Sequence, residues 1–307
     1  MNATRRPTLE PGIISVLQTP FKPSGEVDHD SLCRLIEDAI RCGVAGFLAP
    51  AVASEVGYLS PDERERIVRI IGETIDGRVR FIVGASSDDG AVCRRFAALA
   101  ASVNADAYLV AVPAKLYARP TEIIPFFSPI AASSDVPLLI QDLEWNGPGL
   151  DLDAIADLKH ALPTLIGLKI ETVPSGPKYT AVRDAFGPDF FIAGGWAVQQ
   201  WIEALDRGID AMIPESAMVG VYAAILNHYQ AGRRDTALTL FRRLLPVLAF
   251  TNQEIATSIA FFKRLLVRRG VFAHETMRDP GFTWDDYNTR IADELIDLYR
   301  RLEAEVT

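Results

Sequence analysis

Residues 165–171 read Leu-Ile-Gly-Leu-Lys-Ile-Glu. The run is apolar apart from Lys169 and Glu171, as in a strand buried on both faces of a parallel sheet. Side chains two apart on a strand share a face. Lys169 and Glu171 therefore point the same way, with Glu171 nearer the C-terminal end of the strand. The chain has only six lysines, at 22, 115, 159, 169, 178 and 263, so one in a strand core stands out.

Working outward, similar apolar runs recur at 13–19, 45–51, 79–85, 105–112, 136–141, 190–194 and 210–214. Helix-length amphipathic stretches separate them, at 30–41, 61–71, 91–103, 121–132, 152–161, 179–185 and 197–206. Ser60-Pro61-Asp62-Glu63 is a capping box with proline at the first helical position. Gly43, Gly187 and Gly208 stand where C-terminal caps belong. Eight strands alternating with helices predict a closed (β/α)8 TIM barrel. No Gly-x-Gly-x-x-Gly follows the first run, which argues against a dinucleotide fold. Beyond Val219 the pattern is helical, at 221–230, 234–250, 254–268 and 284–305. The expected organisation is a tail over 1–11, a barrel over 12–232 and a C-terminal helical extension over 233–307.

The 307 residues carry a net charge of −9, and the pI is near 5.1. This argues against nucleic acid or an anionic membrane as partner, since both need clustered cations. No run approaches the roughly 20 apolar residues of a membrane span. No signal-like stretch follows the N-terminal Met-Asn-Ala-Thr-Arg-Arg, and Cys33, Cys42 and Cys93 form no CxxC, so a reducing cytoplasm is expected. The four histidines are scattered, and no metal site is expected.

Active sites of such barrels lie at the C-terminal ends of the strands, where Lys169 and Glu171 would stand. Burial disfavours an ammonium, and a neutral amine attacks a ketone to give a Schiff base. A nearby carboxylate can then move protons. Equally, a lysine and a glutamate inside a barrel can be an inert ion pair.

Several stretches occur together in one order: "TPF" at 19–21, "GEVD" at 25–28, "LAPAVASEVGYLSPDER" at 48–64, "ADAYLVAVP" at 105–113, "VPLLIQD" at 136–142, "IGLKIE" at 166–171 and "GIDAMIPESAMV" at 208–219. This series resembles the dihydrodipicolinate synthase / N-acetylneuraminate lyase superfamily of class I aldolases, over roughly residues 12 to 220. The resemblance implies a TIM barrel whose Schiff-base lysine is Lys169, with no cofactor beyond that covalent imine. It also implies a small-molecule 2-keto acid substrate and a homo-oligomer, dimer or tetramer. The backbone N–H groups of Val52 and Ala53 would hold the substrate carboxylate, although the family's two threonine hydroxyls are absent there. Gly195, Ile213 and Tyr117 would also meet substrate, Tyr117 as the tyrosine contributed across a subunit contact. Trp196 and Glu215 would line the mouth.

The departures bear on the reaction. Gln141 stands where the family has its proton-relay tyrosine, and an amide cannot cycle protons. Glu171 is the nearest titratable replacement; Asp142 falls on the other face. Asn146 occupies the place of the arginine used for a dicarboxylic semialdehyde. The combination resembles a subgroup of 2-keto-3-deoxy sugar acid dehydratases, including that for L-2-keto-3-deoxyarabonate. The expected function is a lyase of that kind, with catalytic residues Lys169, Glu171 and Gln141. Its alternatives are a pyruvate aldolase and a non-catalytic keto-acid-binding protein. Lys178 is expected at the surface.

Overall fold

The computed structural model describes Leu9 and residues 11–195 and 199–306. Its eight parallel strands close into a barrel in chain order, each hydrogen-bonded to the next and β8 to β1. They are β1 (Gly12–Val16), β2 (Gly46–Ala49), β3 (Arg80–Gly84), β4 (Ala107–Ala111), β5 (Leu138–Leu143), β6 (Leu165–Glu171), β7 (Phe191–Gly194) and β8 (Ala211–Met212). The expected TIM barrel is the observed fold. The strand from 165 to 171 has the bounds its sequence indicates. Others stop short at the mouth. β2 ends at Ala49, next to Pro50, and β8 ends two residues before Pro214. Proline has no N–H to give a ladder.

Period-two alternation divides the apolar residues into two cores. One fills the barrel, with Ile14, Val16, Leu48, Ile82, Leu109 and Leu139 among its members. The other lies between sheet and helices and includes Phe47, Val83, Tyr108, Ile140 and Leu168. Register carries the inner face upward: Gln141 pairs with Lys169 and Leu143 with Glu171 across β5 and β6. Lys169 pairs with Ala193 on β7.

The outer helices are α1 (His29–Arg41), α2 (Pro61–Ile75), α3 (Gly90–Ser102), α4 (Ile123–Ala131), α5 (Leu152–Ala161), α6 (Ser175–Phe186), α7 (Trp201–Asp206) and α8 (Val219–Gln230). Asp28, Ser60, Asp89 and Asp151 cap α1, α2, α3 and α5 by accepting from first-turn N–H groups. Helix α6 starts four residues before the expected 179. The start of the helix expected over 197–206, and Trp196 beside it, lie outside the described residues; α7 begins at Trp201.

Three further helices follow: α9 (Arg234–Thr251), α10 (Ile255–Arg268) and α11 (Asp286–Val306). Helix α9 packs on α8 and α11, while α10 reaches the 3-10 turn Val52–Ser54 above β2. No helix among the described residues is long and apolar enough to cross a membrane.

Candidate active site

Strand β6 delivers Lys169 and Glu171 to the same inner face, as alternation requires. The Lys169 ammonium lies 2.7 Å from Glu171 Oε2. The Gln141 amide nitrogen, one strand over, donates to the same oxygen. All three side chains are buried. They form one wall of a cavity of about 320 Å³ at the C-terminal end of the barrel. Val52, Ala53 and Ile213 line it too. Val52 and Ala53 open a 3-10 turn, so their N–H groups have no carbonyl within that turn to bond.

Gly195 and Tyr117 are not among the residues that line this cavity. Gly195 backs onto Glu171: a Cβ at that position would lie 2.0 Å from Glu171 Oε1. Its missing side chain makes room for the carboxylate. The Tyr117 hydroxyl donates to Asp142 at 2.9 Å within the same chain. Burial, then the Asp142 charge, raises its pKa. Asp142 sits on the outer face of β5, as expected. Lys178, expected at the surface, instead reaches in from α6 to pair with Asp142 at 2.5 Å, with 11% of its side chain exposed. Lys178 also donates to Pro148 O at 2.6 Å, and Asp142 accepts from Leu150 N at 3.1 Å. Together they tie the C-terminal end of the 144–149 loop back to β5. That loop presents Trp145 and Asn146 to the cavity, Asn146 with φ of 62°. An asparagine tolerates this left-handed conformation better than most residues.

Glu215 is not solvated. It is 7% exposed, borders the cavity, and accepts from Gln18 Nε2 at 3.1 Å and from Ala217 N. Burial lifts its carboxyl to about 7.

The cavity wall facing β5 and β6 was not anticipated. It comes from the junction of α9 and α10: Thr251 to Ile255, with Ser258 and Phe262. The Asn252 amide nitrogen there is buried with no hydrogen-bond partner. Only the polar interruption "TNQE" at 251–254 between two amphipathic helices hinted at this in the sequence. No group of three or more His, Cys, Asp or Glu among the described residues has the arrangement of a metal site.

A buried lysine on the sixth strand of a barrel, paired with the glutamate two residues on, occupies the position that the sequence resemblance gives to the Schiff-base lysine. The family profile described as "Dihydrodipicolinate synthetase family" matches residues 10–296. The chain belongs to that family. Its relatives differ in activity. It is 26% identical over 299 residues to the L-2-keto-3-deoxyarabonate dehydratase of Azospirillum brasilense, covering 95% of this chain and 94% of that one. It is 27% identical over 270 residues to a 4-hydroxy-tetrahydrodipicolinate synthase of Xanthomonas campestris pv. campestris, covering 85% of each. The sialic acid aldolase of Ruminococcus gnavus superposes with a TM-score of 0.87 at 17% identity, over 97% of this chain and 99% of that one. That likeness is one of fold.

Proposed function

We propose that this chain is a Schiff-base lyase that dehydrates a 2-keto-3-deoxy sugar acid of the L-2-keto-3-deoxyarabonate kind. The observation that carries the reading is the contact of Glu171 with both Lys169 and Gln141. A proton-moving carboxylate stands at the imine position, and an amide replaces the family's relay.

Lys169 attacks the C2 ketone; the N–C2 bond forms and the ketone oxygen leaves as water. The protonated imine draws electrons from C3, and Glu171 removes a C3 proton to give the enamine. The enamine pushes out the C4 hydroxyl as the C4–O bond breaks. Glu171 then holds the proton that the departing hydroxyl takes to become water. Hydrolysis of the resulting unsaturated imine frees Lys169. The Val52 and Ala53 N–H groups would bind the substrate carboxylate, with Ile213 beside it. Asn252, Thr251 and Ser258 on the opposite wall offer polar groups to the distal hydroxyls. The electron sink is the imine itself, so the chemistry calls for no separate cofactor.

Aldol cleavage uses the same imine but deprotonates the C4 hydroxyl and breaks C3–C4. The synthase relatives favour that kind of chemistry. Asn146, in place of a cation for a second carboxylate, speaks against their substrate. Borohydride trapping followed by intact and peptide mass separates the readings. L-2-keto-3-deoxyarabonate should leave an adduct on Lys169 with the mass of the five-carbon acid, intact or dehydrated. A pyruvate-sized adduct from that compound would mean cleavage. No adduct from it or from pyruvate would end the lyase reading and favour a keto-acid-binding protein.

A further inference from the structure

The second buried lysine of the chain, Lys263, lies 208 residues from its partner Glu55. Both side chains are 1% exposed. Glu55 follows the Val52–Ser54 turn directly and has φ of 56°, a left-handed conformation that a non-glycine residue keeps only when its surroundings hold it. What holds it is the C-terminal region. One Glu55 oxygen takes the Lys263 ammonium from α10; the other accepts the backbone N–H of Arg278 at 2.8 Å. Lys263 also donates to Thr276 O at 2.8 Å. Phe21 lies beneath both cations, its ring centroid 4.3 Å from Lys263 Nζ and 4.4 Å from the Arg278 guanidinium.

Neighbouring contacts bind the same turn from the barrel side. Thr19 Oγ1 donates to Ser54 O at 2.7 Å, and Ser54 Oγ donates to Leu17 O at 2.6 Å and accepts from Ala51 N at 3.0 Å. Arg278 donates to Gly25 O and Tyr58 O and pairs with Glu63 at 2.5 Å. One residue after Phe262 in the cavity wall comes Lys263, so a single helix both lines the cavity and grips the turn beside it.

From this we infer that Lys263, Glu55 and Phe21 are positioning residues for substrate: they fix the Val52–Ala53 N–H groups at the distance from Lys169 that a 2-keto acid spans. The inference rests on the proposed imine chemistry. An ion pair that merely held α10 to the barrel would not need the left-handed Glu55. Nor would it need a second donor from the 270s chain on that carboxylate. Burial pulls the Lys263 ammonium down to about 8 against the opposing pull of Glu55, so the grip is costly to keep charged.

The test measures the pyruvate concentration that half-saturates borohydride-trapped adduct on the full chain, together with the maximal trapping rate. Glu55→Gln keeps the shape and an acceptor; Lys263→Met removes the cation. Each should raise the half-saturating concentration about tenfold or more, as loss of an anchored carboxylate contact does, while the maximal rate stays within about threefold. Phe21→Leu leaves the ion pair and removes the ring beneath it. It should shift half-saturation in the same direction by a few-fold, and it keeps the test decisive if Lys263→Met does not fold. Folded variants with unchanged half-saturation, or with loss of maximal rate alone, would overturn the inference while leaving Lys169 chemistry intact. Absence of any adduct in the unaltered chain would instead remove both this inference and the proposed reaction.

Discussion

Two lysine–glutamate pairs are buried at the top of this barrel, and they keep different company. Lys169 and Glu171 are neighbours on one strand and face a cavity, and the Gln141 amide donates to the same carboxylate oxygen. Lys263 and Glu55 come from opposite ends of the chain and are sealed between an aromatic ring, a carbonyl and a backbone N–H. Breaking a sealed pair by removing one partner strands a charge. Breaking a pair at a cavity wall leaves the remaining group near the space that ligand or water enters. The same two residue types thus serve reaction in one setting and rigidity in the other, and the surroundings decide which.

The largest expected effect tests the first half of that contrast. Lys169→Met should abolish the trapped adduct and lower turnover by a factor on the order of 10⁴ or more, as loss of a covalent nucleophile does. Peptide mass after borohydride reads the outcome; an adduct on another lysine would sink the assignment. Glu171→Gln should act on a different step. Turnover should fall by about 10² to 10⁴, the usual share of a general acid–base group. The pyruvate adduct should still form, since the amine remains. A Glu171→Gln variant with unimpaired turnover would make the pair as inert as its sealed counterpart.

The two pairs also differ in how far the sequence reveals them. Two positions on one strand fix the relation of Lys169 to Glu171, and the apolar run fixes the strand. Gln141 followed from the family resemblance, which sets it at the place of the relay tyrosine on β5. Nothing local relates residue 55 to residue 263, or places Thr251–Ile255 across the cavity from β6. Those contacts arise from how α9 and α10 fold back over the mouth, which periodicity does not encode. Lys178 misled for a related reason. Helix position suggested a solvated cation, but its aliphatic stem can carry the ammonium to an acid buried on the outer face of β5. Gly195 was legible as a glycine with a purpose, while the purpose, space for Glu171, needed the coordinates.

On stability the ranking reverses. Lys263→Met should cost about 3–5 kcal/mol of unfolding free energy, because Glu55 stays buried without its cation. Lys169→Met should cost clearly less. Urea melts of the two variants compare them directly; equal losses would erase the contrast between a sealed and an exposed-to-cavity pair. Gly195→Ala probes the cavity pair without touching either member. The added methyl must push Glu171 aside, since Oε1 lies 2.0 Å from where it would sit. A displacement of that order costs about 10²-fold in turnover when a reacting group is moved. Turnover should fall while the pyruvate adduct persists. Normal turnover would mean that Glu171 reacts from another position.

Glu215 extends the comparison to a buried carboxylate whose hydrogen-bond donors are neutral groups. Burial lifts it from 4.5 to about 7 against the pull of the Ala217 N–H, the Gln18 amide, the Tyr222 hydroxyl and the Arg269 charge. The folded chain therefore keeps this proton between pH 4.5 and 7, while the unfolded chain has lost it. Below that window both states are protonated and the group is neutral in the balance. As pH rises through it, stability falls, and above pH 7 the full cost of about 3 kcal/mol is present. Glu215→Gln removes the titration while retaining an acceptor for Ala217. The variant should melt a few degrees above the unaltered chain at pH 8.5, and the gap should close toward pH 4.5. A gap that does not change with pH would show that Glu215 is held ionised in the folded chain. It would then be a carboxylate stabilised like Glu55 rather than one paying for its burial.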